Sequence, residues 1–126
     1  MQQANVYMQY KEQSLETLTN GEIIIKLFEE ASKQVNMAIY SITSGNIIKA
    51  SNATTKAQKI IFALRNSLDM KYPISKEMDE LYLFIYEQLR VANSNRDMTL
   101  FKDLLGMIDD FKISFRQANK LSRMGK

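Results

Sequence analysis

The sequence lacks cysteine, histidine and tryptophan, and its 126 residues include only one proline and four glycines. Without cysteine it can form no disulfide framework. Without cysteine and histidine it can form no histidine-dependent triad, no Cys-His pair and no zinc site of the usual ligand types. The scarcity of proline and glycine argues against a sheet protein with many tight turns. These absences leave few candidates for enzymatic chemistry.

The remaining candidates for acid/base chemistry are three adjacent carboxylate pairs, Glu29-Glu30, Asp79-Glu80 and Asp109-Asp110. Neighbouring residues of a helix project about 100° apart, so the two members of each pair point to different sides of a helix. We interpret the pairs as solvated helix faces. The sequence therefore predicts a protein that is not an enzyme and has no metal site.

The charge and hydropathy of the sequence limit where the protein is expected and which partners it could bind. No apolar run approaches the length of a membrane span, and the first residues lack a basic-then-apolar secretory signal, so we expect a cytoplasmic protein. The net charge of +3 is mild, and four cations recur near the end at Lys112, Arg116, Lys120 and Arg123. We interpret them as cations that complement a helix C-terminus. A nucleic-acid-binding bundle is the alternative, but aromatic and recognition-helix signatures are not evident.

Helical periodicity covers the first half of the chain in two stretches. Thr19-Asn-Gly-Glu22 fits a capping box, which predicts a helix that runs to about Thr43. Residues 44–46, Ser-Gly-Asn, end that helix: the glycine supplies a left-handed cap and the asparagine opens the next helix. The second helix is predicted from about Ile47 to Leu68.

The second half follows the clearest break, at residues 69–74. Pro73 cannot sit inside a helix, and Ser75 is predicted to be the N-cap of a third helix that runs to about Asn93. Asp97 is predicted to cap the fourth helix. Four helices of about 20 residues joined by short turns indicate an all-α, antiparallel up-down-up-down four-helix bundle. We expect a short N-terminal arm at residues 1–18 and a single bundle domain at residues 19–124.

Each predicted helix has one apolar seam that should face the core. The seams are Ile24, Leu27, Phe28, Ala31, Val35, Ala38 and Ile42 in the first helix; Ala57, Ile60, Ile61, Leu64 and Leu68 in the second; Met78, Leu81, Tyr82, Ile85, Leu89 and Ala92 in the third; and Phe101, Leu104, Ile108, Phe111, Phe115 and Ala118 in the fourth.

The chain has more apolar residues than one seam per helix requires. Ile48 and Phe62 fall off the seam of the second helix, and Leu83, Phe84 and Val91 fall off that of the third. Single exposed hydrophobic residues are normal, so the interpretation that the surplus residues have no function stays open. However, the surplus groups on consecutive helices, and eight methionines can adapt to an irregular partner. We predict a shared groove that receives an amphipathic helix or an extended apolar peptide.

The N-terminal residues carry Tyr7 and Tyr10, which one helical turn would place side by side. Two interpretations stay open. In one, the terminus is frayed and the two tyrosines rest on the body of the protein. In the other, the segment is an arm that docks on an apolar groove and can be displaced.

Five short motifs occur in order over nearly the whole chain. They are Asn5-Val-Tyr7-Met-Gln-Tyr10, Thr19-Asn-Gly-Glu22, Ile25-Lys-Leu27-Phe28, the segment from Lys56-Ala-Gln-Lys-Ile60-Ile61 to Ser67-Leu68-Asp69, and the segment from Leu81-Tyr82 to Leu89-Arg-Val-Ala92-Asn93. Together they resemble the flagellar export chaperones of the FliS type, which hold flagellin before secretion. The sequence departs from the family pattern at Asn20 (usually proline), Phe28 (commonly tyrosine) and Phe115 (typically tryptophan).

The resemblance implies a cytoplasmic, cofactor-free bundle that binds the disordered C-terminal segment of flagellin. Such a chaperone prevents premature polymerisation and helps deliver flagellin to the export gate of the flagellar type III apparatus. The family's N-terminal arm covers part of the groove when flagellin is absent. The candidate flagellin-binding residues are Tyr7, Tyr10, Ile48, Asn52, Lys56, Phe62, Tyr82, Leu83, Phe84, Tyr86 and Asn93. The alternative function is a structural or regulatory bundle that homodimerises through its surplus apolar face.

Overall fold

The computed structural model describes residues 20–124, with the side chains of residues 21–121. Four α-helices make up this part of the chain: α1 (Asn20–Thr43), α2 (Ile47–Asn66), α3 (Pro73–Asn95) and α4 (Met98–Met124). The all-α prediction is confirmed. Thr19 of the predicted capping box and the predicted arm with Tyr7 and Tyr10 lie outside the described residues.

Side-chain contacts show that α2 and α3 run antiparallel. Ser51, near the start of α2, pairs with Asn93, near the end of α3. Arg65, near the end of α2, pairs with Asp79, near the start of α3. Residues that come later in α2 pair with residues that come earlier in α3, as expected for two helices that run in opposite directions.

The contacts between α1 and α4 have the same pattern. Glu29 pairs with Arg116, and Ser32, further along α1, pairs with the earlier residue Asp109 of α4. Around the bundle, α1 packs against α2 and α4, and α3 packs against the same two helices. The predicted antiparallel up-down-up-down bundle is therefore confirmed.

The turns on either side of the α2–α3 pair form as predicted. Gly45 follows α1 with a φ of +79°, a left-handed conformation that glycine adopts without a steric penalty. The Asn46 side chain then caps α2, because its Oδ1 accepts a 3.0 Å hydrogen bond from the backbone N–H of Lys49. Asp97 caps α4 in the same way, accepting a 3.0 Å hydrogen bond from the N–H of Leu100.

The connection between α2 and α3 differs from the prediction. The second helix ends at Asn66, two residues before the predicted end. Ser75 is not the N-cap: α3 begins at Pro73, with Tyr72 as the capping residue. Proline suits the first position of a helix, where its missing N–H would have no partner in the helix. Ser75 lies inside the first turn, buried, and its hydroxyl donates a 2.6 Å hydrogen bond to the Asp69 carbonyl.

The core contains most of the predicted seam residues. The largest fully buried apolar side chains are Phe28, Val35, Ile61, Leu64, Ile85, Leu89, Phe101, Leu104 and Ile108. Two seam predictions are wrong, because Leu81 and Ala118 are exposed. Leu81 lies about 100° around α3 from the buried Tyr82. Ala118 lies in the C-terminal half of α4, where the neighbouring helices cover the seam less completely.

The four interfaces around the bundle differ in size. The largest lies between α1 and α2, which contribute five buried alanines: Ala31, Ala38, Ala50, Ala53 and Ala57. Small side chains allow helix backbones to approach closely. The smallest lies between α3 and α4. The bundle is therefore least closed along the α3–α4 side.

Candidate partner-binding surfaces

An apolar cleft of about 600 Å³ opens at the end of the bundle where α1 and α3 begin. We call it the end cleft. It separates the first turns of α3 from the C-terminal half of α4, and the start of α1 lies along its rim. Its lining residues are Gly21, Ile24, Ser67, Leu68, Asp69, Tyr72, Ile74, Ser75, Met78, Tyr82, Phe111, Ser114, Phe115 and Ala118.

Aromatic rings form the base of the end cleft. The ring centroid of Phe28, which is fully buried, lies 6.3 Å from that of Tyr82, 6.4 Å from that of Phe111 and 6.0 Å from that of Phe115. The tilted arrangements are those that aromatic pairs favour. Phe111 and Phe115 are only partly covered, so they present apolar surface to the cleft. The base is therefore apolar.

The rim on the α3 side is also apolar and open to solvent. Tyr72 is 54% exposed and Ile74 is 59% exposed, while Met78 is half-buried one turn further along α3. Two serine hydroxyls on the lining bond to nearby backbone: Ser67 donates to the Leu64 carbonyl in the last turn of α2, at 2.7 Å, and Ser75 donates to the Asp69 carbonyl, at 2.6 Å. Local bonding uses these polar groups, which leaves the cleft mainly apolar.

Tyr82 is the buried one of the two tyrosines that line the end cleft. Its side chain is 2% exposed, and its hydroxyl has no hydrogen-bond partner within the part of the chain that the structure describes. Burial raises the pKa of Tyr82 above its ordinary value, because an ionised phenolate would lose its hydration. A buried hydroxyl without a partner is costly. Tyr82 is therefore an exception in an otherwise well-satisfied core.

A second, smaller depression of about 120 Å³ lies on the other side of α3, along its boundary with α2. We call it the α2–α3 groove. Phe62 of α2 and Tyr86 of α3 flank it, with ring centroids 6.3 Å apart, and Leu83 is 42% exposed beside them. The full lining is Ile61, Phe62, Arg65, Tyr82, Leu83 and Tyr86. Tyr82 thus lines both depressions.

An ion pair closes one end of the α2–α3 groove. The Nε of Arg65 donates a 2.5 Å hydrogen bond to Asp79 Oδ1, and the Nη2 lies 3.4 Å from Oδ2. This hydrogen bond raises the pKa of Arg65 further above its ordinary value, with partial burial opposing the shift. The guanidinium is therefore a permanent cation, held at the groove by its partner on α3.

Comparison with known proteins gives these surfaces a context. A model of the family described as "Flagellar protein FliS" matches residues 3–122. The chain belongs to the FliS family. The match spans all but the last two residues of the bundle, as well as most of the predicted arm.

Two relatives of this FliS-family chain are named "Flagellar secretion chaperone FliS". The protein of Bacillus subtilis (strain 168) is 28% identical over 119 residues, which cover 94% of this chain and 90% of the relative. That of Vibrio cholerae serotype O1 is 29% identical over 98 residues, which cover 76% of this chain and 72% of the relative. Among the described residues, moreover, no helix is both long and apolar enough to cross a membrane.

The α2–α3 groove brings together three of the predicted flagellin-binding residues of this FliS-family chain, Phe62, Leu83 and Tyr86. The fourth residue that reaches it is Tyr82, which is buried, as its place on the seam of the third helix predicts, and its ring packs against Phe28. A contact between Tyr82 and flagellin stays a prediction. Only a small part of Tyr82 is accessible at the two depressions.

Three of the other predicted residues lie on α2, outside the groove. Ile48 is 76% exposed near the start of the helix, and Asn52 is exposed one turn later. Lys56 is exposed as well, about 120° around α2 from Phe62. These side chains are therefore available to a partner, but the structure does not bring them into one site with the groove.

The last two predicted residues lie on α3. Phe84 is 49% exposed and projects about 100° away from Leu83, toward solvent. Asn93 is half-buried near the end of α3, where its Nδ2 donates a 3.2 Å hydrogen bond to Ser51. Asn93 thus joins α2 to α3, and neither residue lines the groove.

The sequence does not predict the end cleft. Periodicity places Met78, Phe111 and Phe115 on core seams, and it does not show that the facing helices leave them partly uncovered. One signal is present in the predicted break at residues 69–74: Met70, Tyr72 and Ile74 are apolar residues in a segment that would ordinarily be polar, and each is more than half exposed.

Proposed function

We propose that this FliS-family chain is a cytoplasmic secretion chaperone that binds the C-terminal segment of flagellin and keeps it from polymerising before export. The observation that carries the proposal is the end cleft, an open and mainly apolar cavity of about 600 Å³ in a chain of this family. An apolar groove of this kind suits a partner helix or an extended apolar peptide. Presentation of the bound flagellin to the export gate is part of the same proposal.

The physical mechanism is coupled folding and binding. A disordered segment loses about 1–2 kcal/mol of backbone entropy per residue as it becomes ordered. Burial of apolar area, at about 25 cal/mol per Å², has to offset this loss. A partner that filled only one depression would bury little area. We therefore expect the segment to contact both the end cleft and the α2–α3 groove, which flank the first half of α3.

The N-terminal arm, residues 1–18, is proposed to compete with flagellin for the end cleft. Gly21 lines the cleft, so the chain that precedes α1 joins the bundle at the rim. In the absence of flagellin, an arm that carries Tyr7 and Tyr10 is well placed to cover the same apolar surface. Deletion of residues 1–15 tests this idea by titration with a flagellin C-terminal peptide. We expect tighter binding after the deletion, and an unchanged or weaker affinity would count against competition.

The main experiment compares two isoleucine substitutions. Ile74→Asp places a charge on the rim of the end cleft, whereas Ile113→Asp places one on α4 outside its lining. Because the two side chains are 59% and 51% exposed, both variants should fold. Isothermal titration with full-length flagellin should show strongly weakened binding for Ile74→Asp and near-normal binding for Ile113→Asp. Equal binding by the two variants would exclude the end cleft as the flagellin site.

The role of the flagellin C-terminal segment requires a separate measurement. Flagellin that retains the segment should bind the wild-type chain, and flagellin that lacks it should not. Light scattering can then follow polymerisation of seeded flagellin. A stoichiometric amount of wild-type chain should suppress filament growth, and Ile74→Asp should suppress it less. Binding that is independent of the segment would contradict the proposed function.

A further inference from the structure

The buried hydroxyl of Tyr82 is the polar group in the core for which the fold offers no partner among the described residues. Tyr82 belongs to α3, and its ring extends from that helix toward Phe28 of α1 and Phe111 of α4, at centroid distances of 6.3 and 6.4 Å. The hydroxyl is at the far end of the ring. Tyr82 is also one of the residues that line the end cleft, where a bound segment would lie next to it.

We propose that the Tyr82 hydroxyl donates a hydrogen bond to a backbone carbonyl of the flagellin segment and thereby fixes the register of that segment in the end cleft. The inference rests on the proposed function and assigns to Tyr82 a positioning role within it. Apolar contacts alone are non-directional, so a segment could slide along an apolar surface with little change in buried area. A single directed bond at the base of the cleft gives one position an advantage.

A backbone carbonyl is the acceptor that best fits the surroundings. Ser67 on the lining already donates to the Leu64 carbonyl in the last turn of α2, and Ser75 donates to the Asp69 carbonyl, so neither hydroxyl is left for the segment. An entering carboxylate would have to be desolvated against the Phe28, Phe111 and Phe115 cluster, which is costly. A neutral carbonyl is less costly to bury. Carbonyls without a partner occur in extended backbone and in the last turn of a helix.

The first test is Tyr82→Phe, which removes only the hydroxyl. The matched control is Tyr40→Phe, since Tyr40 is 66% exposed in α1 and lines neither depression. The probe is a synthetic peptide with the sequence of the flagellin C-terminal segment. We expect Tyr82→Phe to raise the Kd by about three- to ten-fold, the loss of one neutral hydrogen bond. Tyr40→Phe should leave the Kd unchanged.

The thermal midpoint of the free protein separates this role from a structural one. Because the hydroxyl has no partner among residues 20–124, its removal should leave the midpoint equal or higher. A lower midpoint would show that the hydroxyl is already bonded within the fold and would overturn the inference. A Kd of Tyr82→Phe equal to that of the wild type would do the same. Failure of the wild-type chain to bind the peptide would instead reject the proposed function.

The second test identifies the acceptor. Replacing single amide bonds of the peptide by ester bonds weakens one carbonyl acceptor at a time. At one position the ester should weaken binding to the wild type but should not weaken binding to Tyr82→Phe any further. Such non-additivity identifies the carbonyl at that position as the acceptor. If Tyr82→Phe binds more weakly but no ester position couples to it, the partner is not a backbone carbonyl and the proposed acceptor is wrong.

Discussion

Arg65 and Asp79 form a two-pronged ion pair that joins the last turn of α2 to the second turn of α3. The Nε–Oδ1 distance is 2.5 Å and the Nη2–Oδ2 distance is 3.4 Å. The two side chains are 32% and 29% exposed, so solvent screens this pair less than it screens a surface pair. The bridge fixes the spacing of the two helices at one end of the α2–α3 groove.

Asp79→Asn should therefore destabilise the bundle by a small but measurable amount. It removes the negative charge and leaves Arg65 beside a neutral amide. The matched control is Glu87→Gln, which removes the partner of Arg90 in a pair whose side chains are 60% and 50% exposed. Urea unfolding should show a loss for Asp79→Asn that shrinks as salt is added, and no measurable loss for Glu87→Gln. Equal effects of the two substitutions would contradict this ranking.

Phe62→Ser should weaken flagellin binding more than it weakens the fold. Phe62 is 41% exposed, and its ring contacts Tyr86 across the α2–α3 groove. Only part of its apolar area is buried in the free protein, so we expect a loss of about 1 kcal/mol or less in the free energy of unfolding. Tyr40→Ser is the control, an exposed aromatic side chain outside both depressions. Titration and urea unfolding measure the two properties. A large loss of stability with normal binding would make Phe62 a core residue.

Ala57→Leu should destabilise the bundle because α1 and α2 share the largest interface and Ala57 is fully buried. A larger side chain at this position forces the packed helices apart or its neighbours out of their rotamers. The expected loss is about 1–3 kcal/mol in the free energy of unfolding. Ala118→Leu, at an exposed position of α4, should change stability by less than about 0.5 kcal/mol. Similar urea midpoints for the two variants would show that α2 can accommodate the extra volume.

The burial of Tyr82 also predicts how stability depends on alkaline pH. Burial raises the pKa of Tyr82, so the folded protein retains the phenol proton to a higher pH than the unfolded chain. The stabilisation is fully present below the ordinary tyrosine pKa of about 10 and is lost as pH rises above it. The free energy of unfolding of the wild type should fall above pH 10 by up to about 1.4 kcal/mol per pH unit more than that of Tyr82→Phe. Parallel pH profiles would contradict the burial.

The helices and most of their ends follow from the sequence because the signals are local. The left-handed Gly45 and the caps Asn46 and Asp97 act within one turn of their own position, and all three occur as predicted. The start of α3 was misplaced by the same kind of local reasoning. Ser75 is a good capping residue, but Pro73 is better suited to the first helical position, and the Ser75 hydroxyl bonds back to Asp69 instead.

The binding surfaces were harder to predict because they depend on how the seams meet. Periodicity places Phe111 and Phe115 on the inner side of α4, and they do contact the aromatic core. It does not show that α3 and α4 diverge and leave the same residues partly uncovered. Tyr82 belongs both to the third seam and to the candidate contact residues, and the structure shows the burial that the seam predicts. Phe62 and Leu83, which lie off their seams, were correctly expected to be exposed.

The small interface between α3 and α4 also bears on motion. The free energy needed to open a region locally depends on the packing that is lost when it opens. Separation of the start of α3 from the end of α4 gives up less packing than separation of α1 from α2, and the core around Leu89 and Phe101 can stay intact. Local opening of the bundle should therefore be concentrated at the end cleft. A partner larger than the cleft at rest could enter there without unfolding the rest of the molecule.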